Sequence, residues 1–163
     1  MIRTFLSAIL VIFLFPGCLS SLNGAHDFLR QAEEAARRQD WEQAMVNYRL
    51  HIDYRLSLKE RPEWENPWFY LLMIGDIELG RDKPGEAVQN YEQAFERGVE
   101  KNLVSDRLRL AATWYEQHDR IPEALTLLTR HRDKDEILFD IMLDRLSREL
   151  TRREDAAAAK PAA

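Results

Sequence analysis

The sequence has a single cysteine, Cys18, so no disulfide can form within the chain, and no Cys/His cluster with zinc spacing can be written. Metal pairs from histidine are missing too. None of His26, His51, His118 and His131 lies three or four residues from another on a shared helical face. Glycine is scarce, at 6 residues, and forms neither a phosphate-cradling loop nor a Gly-x-Ser-x-Gly nucleophile elbow. The acidic pairs Glu33-Glu34 and Asp133-Asp135 fall where helix surfaces and turns are expected, not where two carboxylates would share a raised pKa. These absences give no catalytic residue, no metal, no cofactor and no small-molecule substrate. Positive charge is not in excess either. With 23 Lys and Arg against 28 Asp and Glu, the net charge is -5, which offers no cationic field for nucleic acid. At 163 residues and 45% hydrophobic, the chain has the composition of a folded protein and room for one compact domain or a few stacked repeats.

No apolar run is long enough to cross a bilayer, which takes roughly 20 residues. The longest, Phe5 to Phe15 (FLSAILVIFLF), follows Arg3 and breaks at Pro16-Gly17-Cys18. A positive start, a short apolar stretch and small or turn-forming residues are the layout of a signal peptide. The Gly17-Cys18 step resembles a bacterial lipoprotein signal, although Phe15 and Pro16 depart from the Leu and small residue usual in that motif. The resemblance implies removal of residues 1–17, lipidation of Cys18 and a short tether over 18–25. Acyl chains would then supply the membrane affinity, at about 0.8 kcal/mol per buried methylene. Leu19, where enteric inner-membrane lipoproteins tend to carry Asp, favours by resemblance the outer membrane, facing the periplasm.

Beyond Gly24 the hydrophobic period is that of helices, with no sustained alternation. The pattern predicts helices over His26–Arg38, from Trp41 until Arg61-Pro62 stops it, over Pro67–Leu79 with Gly80 as its terminator, over Pro84–Arg97 before Gly98, over Val104–Gln117, over Pro122–His131 and over Lys134–Arg153. Trp41, Ala44, Met45, Tyr48, Ile52 and Leu56 share one face of the second helix. The last helix is expected to pack through Ile137, Leu138, Ile141, Met142, Leu146 and Leu150, with a disordered tail over 154–163.

Self-similarity lies within this pattern. Aligning DWEQAMVNYRLHI, KPGEAVQNYEQAF and RIPEALTLLTRHR superimposes Ala44, Ala87 and Ala124, and, one turn later, Tyr48, Tyr91 and Leu128. In the preceding helices Ala32, Gly75 and Ala112 hold equivalent places, and Tyr115 lies near the end of the third of these. This arrangement resembles the tetratricopeptide repeat, in which small residues let two helices cross closely and a bulky residue fills the space beside them. The equivalent alanines are 43 and then 37 residues apart, so the repeats are degenerate, with the larger insertion over Asp53–Glu65. The resemblance implies an all-α, right-handed solenoid of about three helix pairs over residues 26–153, closed by a capping helix.

That family works by shape, offering a concave groove to an extended peptide or a helix. The alignment nominates Leu29, Glu33 and Arg37 in the first repeat, Phe69, Leu72 and Asp76 in the second, and Arg109, Thr113 and Glu116 in the third. Trp64 and Trp68, beside the insertion, are possible aromatic anchors. His51 and His131 share a repeat position that normally packs between helices. The expected function is therefore a non-catalytic, membrane-tethered scaffold or adaptor of the bacterial envelope, serving outer-membrane assembly, pilus or secretion machinery. The alternative is an accessory subunit of an envelope enzyme such as a peptidoglycan hydrolase or synthase. Irregular spacing marks Asp53 to Trp68 as the region where a specific partner would be recognised.

Overall fold

A computed structural model describes residues 27–159. The signal-like segment, Cys18 with its tether, His26 and residues 160–163 lie outside the described residues. Among the described residues there are seven α-helices and no strand: α1 (Phe28–Arg37), α2 (Trp41–Ser57), α3 (Tyr70–Gly80), α4 (Pro84–Glu96), α5 (Lys101–Gln117), α6 (Ile121–Arg130) and α7 (Glu136–Ala158). Each packs chiefly on its neighbours in sequence, which makes three helical hairpins in a row with α7 laid on α6. This is an all-α repeat solenoid, in which stacking buries one continuous core.

The hairpins turn alike because their backbones do. Gln39, Asp82 and Asp119 all adopt left-handed conformations, with φ of 60, 61 and 59 degrees. After each, an amide reaches back to the helix it leaves: Asp40 to the Ala35 carbonyl at 2.9 Å, Lys83 to Glu78 at 3.0 Å and Arg120 to Tyr115 at 2.8 Å. These six-to-one bonds define Schellman turns, which satisfy carbonyls that a helix end would otherwise orphan. The expected terminator of α3, Gly80, is instead its last helical residue, and Asp82 takes the left-handed position. Gly98, with φ of 82 degrees, does close α4.

Small residues meet large ones inside each hairpin. Ala32, Ala44, Ala87, Ala112 and Ala124 are fully buried, as are Tyr91 and Leu128, and Tyr48 is nearly so. The closest approach is at Gly75, where a Cβ would lie 2.3 Å from Cε1 of Tyr91. No other residue fits there without moving the ring. The Tyr91 hydroxyl then donates to Asp76 at 2.9 Å, and Arg107 approaches the same carboxylate at 3.4 Å, tying the second pair to the third.

Boundaries differ from the sequence pattern in four places. Pro67–Phe69 is a 3-10 turn that leads into α3, so the α-helix itself starts at Tyr70. The second helix ends at Ser57, with Leu58 already extended, and Arg55 in its last turn reaches to Glu65 in the loop that follows. The fifth begins a turn earlier than expected, at Lys101. The last continues to Ala158 through alanines that favour helix, so residues 154–158 are helical and not a disordered tail.

The packing face of α7 is also rotated from the expected one. Phe139 and Leu146 are fully buried, supported by Met142, Leu143 and Leu150. Ile137 and Ile141 stay 76% and 59% exposed, and Leu138 is exposed as well. Two apolar stripes overlap in this helix, and the one centred on Phe139 buries the larger side chain together with Leu143.

Candidate functional site

The second helix pair does not follow directly on the first. Residues 58–66 form a loop between α2 and the Pro67–Phe69 turn, and three contacts brace it. Arg55 grips Glu65 through both nitrogens of its fork, with Nε 2.6 Å from Oε1. That bond holds the Glu65 carboxyl below the usual carboxylate range. Asn66 accepts from the Trp68 amide at 3.1 Å, capping the turn, and donates to the Arg97 carbonyl at 3.2 Å. The Arg97 guanidinium lies 4.6 Å from the centre of the Trp68 ring, a cation–π contact. Trp64, at the crest of this braced loop, is 85% exposed.

Beneath the loop lies a cavity of about 850 Å³, bounded by the end of α2, the 3-10 turn and the start of α5. Its apolar lining includes Leu29, Leu56, Phe69, Val99 and Leu103, and its aromatic lining Trp64, Trp68 and Tyr70. His51 also borders it and meets Tyr70 edge-on, ring centres 4.6 Å apart. Tyr70 stacks in turn on Tyr48 at 5.8 Å. The Nδ1 of His51 is buried without a hydrogen-bond partner among the described residues. Burial, reinforced by the nearby Arg55 charge, lowers its pKa, so the ring is neutral at neutral pH. Arg61, Arg97, Glu63 and Glu100, all exposed, share the lining. The surface is mixed in charge, with a largely apolar and aromatic lining.

Of the nominated residues, Leu29 and Phe69 from the alignment and the possible anchors Trp64 and Trp68 come together here. The others do not. Leu72 is fully buried and belongs to the core, not to a groove. Asp76 is taken up by Tyr91 and Arg107, and Arg109 pairs with Asp106 on its own helix. Thr113 donates to the Arg109 carbonyl at 2.9 Å, while Arg145 of α7 grips Glu116 with both NH groups. Glu33 and Arg37 are exposed on α1, away from the cavity lining. Arg55 falls within the Asp53–Trp68 region marked by irregular spacing, whereas His51, Tyr70 and Arg97 were missed as parts of this site. The insertion over Asp53–Glu65 and the Asn66-Pro67 cap were the signals for this region.

His131, the repeat equivalent of His51, is buried and bonded through Nε2 to Glu92 at 2.9 Å. Burial is the largest influence on it and lowers its pKa, against the pull of Glu92. Among the described residues no group of three or more His, Cys, Asp or Glu is placed to hold a metal. None of the described helices is long and apolar enough to cross a membrane.

The fold is a tetratricopeptide-like helical repeat with an irregular junction between its first two hairpins. Among solved structures, the chain is similar to the N-terminal domain of stress-induced protein-1 (STI-1) from C.elegans. The TM-score is 0.56 at 17% identity, covering 77% of this chain and 95% of that one. No protein-family model and no curated protein matches the sequence. At that identity the likeness concerns the fold alone.

Proposed function

We propose that this protein is a non-catalytic scaffold of the bacterial cell envelope, tethered to the outer membrane through a lipidated Cys18, and that it docks a partner protein at the 58–66 loop and the cavity beneath it. One observation carries the docking site: a Trp 85% exposed on a loop braced by an ion pair, an asparagine staple and a cation–π contact; the envelope and the anchor rest on the Gly17-Cys18 signal alone. An exposed Trp offers a large aromatic contact area, and such residues are enriched among those that dominate interface energetics. The cavity gives a partner's anchor side chain somewhere to go. Its volume is within the usual range for binding pockets.

The test is site-directed photocrosslinking in cells. A benzoylphenylalanine probe at Glu63, on the cavity rim, should trap a discrete envelope protein, whereas the same probe at Gln89, on the outer face of α4, should not. Equal patterns from the two positions would contradict the proposed site. The anchor has its own test: Cys18→Ser should move the protein from the membrane to a soluble fraction, and continued membrane retention would rule out tethering by lipid at that residue.

A further inference from the structure

The cavity under the loop pairs aromatic faces with hydrogen-bond donors. Trp64 and Trp68 each carry an indole N–H and Tyr70 a phenol O–H. No hydrogen bond is made by any of the three donors among the described residues. Arg61 and Arg97 add guanidinium donors, and neither forms an ion pair there. The only carboxylates on the lining besides Glu65, which is ion-paired with Arg55, are the exposed Glu63 and Glu100.

This inventory selects among the ways a peptide can bind. Strand addition needs an open sheet edge, and there is no strand among the described residues. A helical ligand spends its carbonyls on its own amides and presents few acceptors to indole and phenol donors. A polyproline II segment does the reverse. Proline removes amide donors, leaves every carbonyl unpaired and offers flat ring faces to aromatic side chains.

We infer that the cavity seats a proline-rich, extended segment of the partner, its rings against Trp64 and its carbonyls on the indole, phenol and guanidinium donors. Basic residues flanking the prolines would meet Glu63 and Glu100. The inference rests on the docking function proposed above and specifies its ligand chemistry.

The experiment titrates the full chain, purified in detergent, with fluorescein-labelled decaproline and with a Gly-Ser decapeptide, read by fluorescence anisotropy. Decaproline should bind saturably and at least about tenfold more tightly than the Gly-Ser peptide. Trp64→Ala and Trp68→Ala should each weaken it by about tenfold, in line with the contribution of an aromatic anchor. Ile141→Ala, on the far helix, should leave it unchanged. Trp64 is exposed, so its variant keeps the fold, and circular dichroism verifies that for both. Equal affinity for the two peptides, decaproline binding unaffected by Trp64→Ala, or tighter binding of an amphipathic helical peptide at the same residues would each overturn the inference. If decaproline fails while the probe at Glu63 still traps an envelope protein, only the proline-rich ligand is wrong. If both fail, the docking site falls as well.

Discussion

The two junctions in this protein differ more than their sequences suggest. Within the second pair, Gly75 lets Tyr91 lie against the α3 backbone, and the Tyr91 hydroxyl, Asp76 and Arg107 extend that contact to the third pair. Between the first and second pairs, the insertion holds the chain away from such closure, and a cavity of about 850 Å³ remains. The first region is shaped to be filled from within; the second is braced around an opening. Repeat architecture thus gives one surface rigidity and leaves another available, and the difference comes from a few residues of spacing.

The largest test of that contrast is Gly75→Ala. Its methyl would press on the Tyr91 ring, so unfolding in urea should show a loss of about 3 kcal/mol. Adding Tyr91→Leu, which recreates the Ala112–Leu128 pairing of the third hairpin, should recover part of the loss. Two losses that simply add would mean that the ring and the glycine do not share one contact.

Next in size is the polar link across the same junction. Asp76→Ala strands the Tyr91 hydroxyl, which is mostly buried, and should cost about 1–2 kcal/mol, whereas Tyr91→Phe in that background should relieve some of it. An unchanged urea midpoint for Asp76→Ala would show that the hydroxyl finds water and that the junction is less closed than described.

The paired histidines give a smaller, pH-dependent effect. Burial lowers both His51 and His131, so below about pH 6.5 the unfolded chain takes up protons that the folded one resists. Stability present above that pH should therefore decline as pH falls toward and through the lower folded values. His51→Leu should flatten the decline at the open junction, where Nδ1 has no partner. His131 has Glu92 to receive its charge, so His131→Leu should flatten it less. Thermal midpoints from pH 7.5 to 5 would separate the two, and identical profiles for both variants would erase this distinction between the junctions.

Much of the regular part was legible in the sequence. Ala32, Gly75 and Ala112 keep the same offsets as Ala44, Ala87 and Ala124, and all are buried. The left-handed turn residues Gln39, Asp82 and Asp119 follow those offsets too. What was not legible depended on choices between near-equal alternatives. The run from Ile137 to Leu143 offers more than one apolar stripe, and only tertiary packing selects Phe139 over Ile137 and Ile141. Asp76 and Glu116 read as groove residues because alignment places them there, but Tyr91, Arg107 and Arg145 claim them from elsewhere in the chain. The Arg55–Glu65 fork, which shapes the candidate site, joins residues with no periodic relation at all.

The smallest expected effect on stability is the most informative. In Trp64→Ala, the side chain that is 85% exposed leaves without opening the core, so the unfolding free energy should stay within about 0.5 kcal/mol of the natural chain. Partner capture by the probe at Glu63 should nevertheless be lost in the same preparation. If capture persists, or if it disappears only together with the fold, the open junction is not the docking surface.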